Sequence, residues 1–289
     1  MTSKLFKTSV LLVASAALSA QAGTPTSGKT VVPVSVTEEA ADYLVDEVGF
    51  SFDAGYESAY YFRGLWFSNN NVFTGLSLSV PLTEKLSLGL GALYTVAVDT
   101  QIAGAGNLKY SELDLFGSLT YDAGFASFGL AYTNYTFFDT FSGSINGQTF
   151  GSDLAPDSTI TGASDIGFTL SVPIADGNVY GAYFYDLKID AHYFEVGADY
   201  TIPVTSWLSL VPSAQIGYGV DYYSYAEITG RSTGWNHVRL KVAAPIQITK
   251  SATLIPYIAA NFSLSNRELI NTVEGKNDLY GGVTLSVAF

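Results

Sequence analysis

The segment LSLGLGALY, residues 86–94, decides the fold class. Its large apolar side chains alternate with serine and glycine, and a period of two residues indicates a β-strand because successive side chains point to opposite faces. The alternation recurs at residues 76–82, 166–172, 238–242 and 279–289. Small residues dominate the second face, whereas a soluble β-sandwich exposes charged or long polar residues there. The pattern therefore favours a barrel with a narrow or tightly packed interior.

The composition indicates a membrane protein. Charged residues make up 13% of the chain and aromatic residues 14%, whereas an ordinary soluble domain has about 25% charged residues. After the N-terminal region, no uninterrupted apolar run reaches the roughly 20 residues that a transmembrane helix needs. Only helices and closed barrels satisfy every backbone polar group in lipid. We therefore predict an all-β fold, a transmembrane antiparallel up-and-down β-barrel.

The alternating segments predict about twelve strands, an even number that is usual for single-chain bacterial barrels. Short turns alternate with longer connections, of which the longest spans residues 138–162. Outer-membrane barrels have short periplasmic turns and long external loops, so both termini are expected in the periplasm. The predicted strands lie near residues 48–62, 72–82, 86–98, 109–121, 124–137, 164–174, 178–187, 190–202, 207–221, 235–248, 252–265 and 278–289.

The N-terminus has the features of a secretory signal peptide. Lys4 and Lys7 precede an apolar run at residues 10–18, and the small-x-small triplet at residues 20–22 provides a cleavage site. We predict a cleaved signal peptide at residues 1–22 and a flexible periplasmic segment at residues 23–46, in which Thr37 could cap a short helix. A plug inside the barrel is the alternative state of that segment. The predicted barrel spans residues 47–289.

The net charge and the rare residue types exclude several classes of function. The formal net charge of −13 argues against nucleic acid or an anionic membrane surface as a partner. The chain has no cysteine and two histidines. His192 lies on the outward parity, and His237 has no identifiable nucleophile and orienting group. A metal site would lack its usual ligand spacing. We predict no catalytic residue, no cofactor and no bound metal, and we do not expect an enzyme.

Charged residues of the predicted strands fall mainly on the inward parity. Acidic residues lie on the first, fourth and eighth strands, and a basic row lies on the tenth. Opposed rows across a pore would create a field that orients polar solutes. Alternatively, the charges pair and fill a small barrel as a polar plug. The predicted pore-lining residues are Asp53, Glu57, Arg63, Glu112, Asp114, Glu195, Asp199, His237, Arg239 and Lys241.

The segment SAYYFRGLWFS, residues 58–68, places an arginine inside an aromatic run. By parity, Tyr60 and Phe62 would face lipid in the aromatic girdle at the membrane interface. Arg63 would face the lumen, because a charge on the lipid side near mid-membrane costs about 2–4 kcal/mol. Gly64 would then let the chain bend into the first external loop.

The same segment resembles the S-x-Y-x-F-R-G-x-x-x-S motif that opens the first strand of the TorF-like porins, the Gcw_chp family. The resemblance implies an outer-membrane location and a channel role, without implying a particular substrate. The matching positions are Ser58, Tyr60, Phe62, Arg63, Gly64 and Ser68.

Together these features predict an outer-membrane porin-like channel for passive diffusion of small polar or charged solutes through a narrow lumen. The terminal Phe289 resembles the C-terminal signature that the barrel assembly machinery recognises. That machinery, outer-membrane lipid and small polar solutes are therefore the expected partners, and the oligomeric state is not predicted. The alternative is a non-conducting structural or adhesion barrel whose extracellular loops bind partners.

Overall fold

The computed structural model describes residues 48–98, 100–102, 106–108, 111–138, 143–145, 148–150, 162–188, 190–222, 233–265 and 277–289. The predicted signal peptide and the segment at residues 23–46, with its short helix, lie outside the described residues. Most of the predicted long connection at residues 138–162 lies outside them as well.

Twelve antiparallel strands form the wall of a closed barrel. They are β1 Gly49–Phe62, β2 Leu65–Pro81, β3 Leu86–Ala97, β4 Ser111–Asp122, β5 Ser127–Phe137, β6 Gly162–Ile174, β7 Gly177–Asp186, β8 Ala191–Tyr200, β9 Ser209–Val220, β10 Thr233–Ala243, β11 Ala252–Ser263 and β12 Asn277–Ala288. Short strands outside this set are Thr100–Ile102 paired with Gly106–Leu108, Gly143–Ile145 paired with Gln148–Phe150, Ile202–Pro203 and Ile246–Gln247.

The barrel closes because the first and last wall strands pair with each other. Each wall strand pairs with its neighbours in the chain, and β1 pairs with β12 from Ser51 opposite Ala288 to Glu57 opposite Gly282. The terminal Phe289 continues this seam, since its carbonyl accepts a hydrogen bond from the Phe50 amide at 3.3 Å. The predicted up-and-down antiparallel barrel of about twelve strands is confirmed.

The alternating sequence produces this wall because one parity of each strand is apolar and faces outward. Leu90, Leu115, Leu130, Val196 and Leu240 are 44% to 57% exposed, and they lie on different strands around the barrel. A continuous apolar belt of this extent is unfavourable in water and suits the hydrocarbon core of a bilayer. Among the described residues, no helix is long and apolar enough to cross a membrane.

The two ends of the barrel differ. At the end where β1 begins and β12 finishes, here called the turn end, neighbouring strands are joined by residues 82–85, 123–126, 175–176, 201–208 and 244–251. At the opposite end, here called the loop end, β3 and β4 are separated by residues 98–110, and β5 and β6 by residues 138–161. The predicted asymmetry between short turns and longer connections is therefore present, except between β1 and β2, joined by residues 63–64, and between β7 and β8, joined by residues 187–190.

The lumen at the turn end is lined by small hydroxyl side chains. Most of them lie on the inward parity and are partly exposed, so that water can reach them inside the barrel, whereas Ser51 is 8% exposed. The Ser51 and Ser77 hydroxyls approach to 2.5 Å across the pair β1 and β2. We call this water-accessible half the vestibule; its inward serines include Ser77, Ser118, Ser171, Ser213 and Ser286.

The hairpin formed by β1 and β2 departs from the wall before it ends. Pairing of β1 with β12 runs to Glu57, and pairing of β2 with β3 begins at Asn71. Beyond these points the two strands continue to pair with each other as far as Phe62 opposite Leu65. We call residues 58–70 the inner hairpin. The prediction that the second strand begins near residue 72, after a loop, was wrong, because the chain reverses at once and the strand begins at Leu65.

A two-residue turn makes this reversal possible. Arg63 and Gly64 both have positive φ, 49° and 78°, which is the backbone of a type I′ turn and matches the twist of the flanking strands. Arginine rarely adopts this conformation, so the contacts of its side chain must compensate for the strain. Gly64 is also required sterically, because a Cβ atom there would lie 2.5 Å from the His237 ring.

We expect Gly64→Ala to displace the inner hairpin. The added methyl group would overlap the His237 ring and would occupy a positive φ, so the turn could not remain against β10. Arg63, which is 2% exposed in the wild type, would become a trypsin site. Limited proteolysis in detergent, with fragment masses, measures cleavage after Arg63.

Gly124→Ala is the matched control for this experiment. Gly124 also has a positive φ, 86°, but nothing lies within 4 Å of its added Cβ. This variant should show the cleavage rate of the wild type after Arg63. Equal rates in the two variants would show that the contact with His237 does not hold the turn.

Candidate functional site in the barrel lumen

The inner hairpin lies inside the lumen, because its two faces contact opposite parts of the wall. Tyr60 and Phe62 pack toward β5, β7 and β8, where they meet Tyr135, Phe184 and Tyr193 in one buried cluster. The opposite face carries Ala59 and Tyr61, which pack with a second buried cluster on β10 to β12. That second cluster also contains Ala243, Ile255, Tyr257, Ala259 and Tyr280.

Water does not reach the lumen at this level. Every wall strand contributes at least one inward side chain that is less than 9% exposed, and a water-filled pore would leave such side chains accessible. The inner hairpin therefore fills the cross-section of the loop-end half in this structure. One such residue from each strand in turn is Glu57, Asn71, Thr95, Glu112, Tyr135, Asp165, Phe184, Tyr193, Gln215, His237, Asn261 and Tyr280.

Arg63 occupies the centre of the filled region. Its Nη2 donates a hydrogen bond to Asp165 Oδ2 at 2.5 Å and its Nη1 donates one to the Tyr222 hydroxyl. The guanidinium carbon also lies 4.2 Å from the ring centre of Phe184 and 5.0 Å from that of Tyr193. These distances are within the range of cation–π attraction. The charge is thus neutralised by one carboxylate and surrounded by aromatic rings.

Asp165 has a second partner and an unused acceptor. The Tyr135 hydroxyl donates to Asp165 Oδ2 at 3.1 Å, and the residue is 0% exposed. No hydrogen-bond partner for its other oxygen, Oδ1, is found in the described part of the chain. On β7, Asp186 lies directly opposite Asp165, and it is 1% exposed. This side of the lumen is therefore rich in buried carboxyl groups.

A second polar network lies where the hairpin leaves the wall. Glu57 accepts hydrogen bonds from Asn71 at 3.1 Å and from the Tyr257 hydroxyl at 3.0 Å. The Lys241 ammonium lies 4.6 Å from the centre of the Tyr257 ring. These contacts tie β1 to β2 and β11 at the base of the inner hairpin.

The predicted acidic and basic rows meet through a glutamine. Gln215, on β9 between the two rows, donates from Nε2 to Glu195 Oε2 at 2.9 Å. Its Oε1 accepts a hydrogen bond from Arg239 Nη2 at 2.5 Å. Glu195 on β8 is therefore linked to Arg239 on β10 through Gln215, because β9 separates β8 from β10.

The ten predicted pore-lining residues all lie on described strands or on the turn between β1 and β2. Asp53 and Asp199 are half-exposed and lie in the vestibule half. The other eight are at most 7% exposed and surround or belong to the inner hairpin: Glu57, Arg63, Glu112, Asp114, Glu195, His237, Arg239 and Lys241. Their role in a conducting pore stays a prediction.

The prediction that Tyr60 and Phe62 face lipid was wrong. Tyr60 is 1% exposed and its hydroxyl donates to Glu112 at 3.2 Å across the lumen. Phe62 is 5% exposed and packs edge-to-face on Tyr135, with ring centres 5.5 Å apart. Strand parity fails for these residues because the inner hairpin is no longer part of the wall, so both of its faces are buried.

Several residues of the site were not identified from the sequence. Asp165 could have been predicted to face the lumen. It shares its parity with Gly167 and Thr169, whereas the apolar Ile166 lies on the outward parity. Tyr193 shares the inward parity of Glu195 and could have been predicted with it. Phe184 and Tyr222 gave no signal, because aromatic side chains were expected on the lipid side. Among the described residues, no group of three or more histidine, cysteine, aspartate or glutamate residues could hold a metal ion.

Comparison with known proteins supports the fold. No protein-family model and no curated protein matches the chain, so the resemblance to TorF-like porins stays a prediction. An outer-membrane channel from Pseudomonas putida F1 superposes with a TM-score of 0.51 at 13% identity, over 87% of this chain and 100% of that chain. At this identity the match shows a shared outer-membrane barrel fold.

Two further structures match at lower scores. The porin KdgM has a TM-score of 0.47 at 10% identity, over 83% of this chain and 99% of that chain. The translocator domain of the autotransporter NalP from Neisseria meningitidis has a TM-score of 0.48 at 12% identity, over 84% of this chain and 88% of that chain.

We expect Asp165→Asn to lower the free energy of unfolding by about 3 kcal/mol, because a buried arginine would lose its countercharge. Urea unfolding in detergent micelles, followed by tryptophan fluorescence, measures the change. Asp199→Asn is the control, because Asp199 is half-exposed and should cost less than about 1 kcal/mol. Similar losses in the two variants would contradict a stabilising role for the ion pair.

Proposed function

We propose that the protein is an outer-membrane porin-like channel for passive diffusion of small polar or charged solutes, and that the inner hairpin closes it. The observation that carries this proposal is the contrast between the two halves of the lumen. One half is the water-accessible vestibule, which is lined by hydroxyl side chains. The other half is filled by the inner hairpin, which is continuous with β1 and β2 of the wall. Withdrawal of that segment would leave a continuous polar passage.

Size and charge support a passage of this kind. Eight-stranded barrels are nearly filled by their own side chains, whereas twelve strands enclose a wider interior. In this protein a whole hairpin occupies the additional space. Around it the lumen side chains of the wall include Glu112, Asp114, Glu195, Arg239 and Lys241, which would line the passage and act on charged solutes.

We place the turn end in the periplasm and the loop end outside the cell, as outer-membrane barrels have short periplasmic turns. In this orientation the vestibule opens to the periplasm and the inner hairpin closes the external side. Lipid contacts the apolar belt, and the barrel assembly machinery inserts the chain. The proposed function includes no enzymatic step.

A non-conducting structural or adhesion barrel is the second candidate. The buried hairpin is the observation in its favour, since a permanently filled lumen would not conduct. In that case the external loops would carry the function. The two candidates differ in one property, which is whether the hairpin can leave the lumen.

Removing the inner hairpin should increase conductance. Glu57 and Asn71 are opposite each other in the register, so residues 58–70 can be replaced by Asn-Gly, the preferred type I′ turn. In planar lipid bilayers the shortened protein should give discrete steps that are larger or more frequent than those of the wild type. A properly folded shortened barrel that remains silent would favour the non-conducting candidate.

The basic row on β10 should influence ion preference. Replacing Arg239 and Lys241 together by glutamate, in the shortened barrel, should shift the reversal potential in a salt gradient toward cation preference. The control replaces Lys85 and Lys250 by glutamate, because both lie exposed in turns outside the lumen and make the same change in net charge. Equal reversal potentials in the two variants would exclude the β10 row from the ion pathway.

A further inference from the structure

The contacts around the Arg63 guanidinium divide into a part that moves with the hairpin and a part that belongs to the wall. Phe62 moves with Arg63, since the two are neighbours in the chain. Asp165 on β6, Phe184 on β7 and Tyr193 on β8 are held by the hydrogen bonds of the wall strands. Tyr222, which follows β9, completes this set with its ring centre 5.1 Å from the guanidinium carbon. These four residues, three on wall strands and one just after β9, therefore form a receptor for the Arg63 guanidinium that does not belong to the hairpin.

The chemistry of this receptor suits a guanidinium group more than a simple ion. A guanidinium is planar and weakly hydrated, so it can stack on aromatic faces while its edge donates hydrogen bonds to a carboxylate. Asp165 provides that carboxylate, and the three rings line the space around it. All four residues are at most 1% exposed beneath the hairpin, so a cation that bound there with the hairpin still in place, as in a variant without the Arg63 side chain, would be well desolvated.

The fit of Arg63 to this receptor leaves one acceptor unused. Nη2 bonds Asp165 Oδ2, and Oδ1 has no hydrogen-bond partner within the described ranges. A bidentate arrangement, in which two parallel N–H groups meet both oxygens, is the stronger geometry for a guanidinium and a carboxylate. The guanidinium group of a separate solute is not held by the turn between β1 and β2, so it could adopt this bidentate arrangement.

The surrounding charge would also attract a cation once Arg63 withdraws. Glu112, Asp114 and Asp186 are buried on the same side of the lumen as Asp165. On the β8 side, the Tyr193 hydroxyl donates to Glu195, a further buried carboxylate, and Arg239 of β10 is linked to Glu195 through Gln215. Because an unpaired buried carboxylate is costly, the vacated site would favour any cation able to replace the lost charge.

We propose that Asp165, Phe184, Tyr193 and Tyr222 form a binding site for small organic cations that carry a guanidinium group, and that Arg63 occupies this site as an internal ligand. The proposal deepens the proposed function by naming a class of solute. It rests on that function for the passage of the solute, whereas binding requires only the folded barrel. Arrival of such a cation would compete with Arg63 and release the inner hairpin.

The test removes the internal ligand and keeps the turn. Arg63→Asn creates Asn-Gly, the preferred sequence of a type I′ turn, so the hairpin should still form. Methylguanidinium chloride is titrated into the variant and the wild type in detergent micelles by isothermal calorimetry. We expect binding to the variant at least about tenfold tighter than to the wild type, equivalent to about 1.4 kcal/mol. Equal binding would overturn the proposal.

Two double variants locate the binding. Arg63→Asn with Asp165→Asn should lose the gain in affinity, whereas Arg63→Asn with Asp199→Asn should retain it, because Asp199 lies in the vestibule half. Retention of the gain without Asp165 would place the cation elsewhere and overturn the proposal. Tetramethylammonium chloride is titrated as the control ligand, because this cation cannot donate hydrogen bonds. If tetramethylammonium bound as tightly as methylguanidinium, the site would not be specific for a guanidinium group.

Folding and conduction are checked separately. Heat-modifiable migration in gels confirms an intact barrel before calorimetry, and Arg63→Gly, which gives Gly-Gly at the same turn, replaces Arg63→Asn if that variant does not fold. Planar-bilayer recordings of the same samples distinguish the two proposals. Calorimetric binding in a barrel that never conducts supports the cation site and contradicts the channel. Conduction without binding contradicts the cation site and supports the channel.

Discussion

Backbone hydrogen bonding in lipid is the constraint on which the rest of the structure depends. A strand edge that faces hydrocarbon must be paired, because no water can satisfy its amide and carbonyl groups. β1 meets this requirement along β12 as far as Glu57, and β2 meets it along β3 from Asn71 onward. The rest of the hairpin lacks such a position in the wall, so it lies in the lumen, where the two strands pair and polar side chains are available.

Inside the lumen, the hairpin brings a charge into a region that excludes water. Such a charge is tolerated only when it is paired and hydrogen-bonded. Arg63 obtains both from Asp165 and Tyr222, and it gains further attraction from Phe184. The same contacts compensate for the positive φ of an arginine at the turn. Closure of the lumen and stabilisation of the turn therefore have one physical origin.

The wall could be predicted from the sequence, and the filled lumen could not. Strand alternation is a local signal, so LSLGLGALY and its repeats give the strands and the inward parity of residues such as Glu195 and Arg239. The inner hairpin gives no comparable signal, since Tyr60 and Phe62 suit a lipid face and a packed interior equally well. Arg63-Gly64 is also a weak turn sequence compared with Asn-Gly. Only three-dimensional contacts show that Asp165, distant in the sequence, meets this turn.

The loop-end part of β12 is bonded to the inner hairpin, and these bonds would limit any motion of the hairpin. Beside the detached hairpin, the Gly281 amide donates to the Ser58 hydroxyl at 3.0 Å, and Tyr61 donates to Asp278 at 3.2 Å. The adjacent Leu279 is 69% exposed and faces outward. A large displacement of the hairpin would break these two side-chain hydrogen bonds, next to a strand that faces lipid. If the hairpin opens the lumen as proposed, a small tilt about Glu57 and Asn71 would keep these bonds along β12, and the resulting aperture would be narrow.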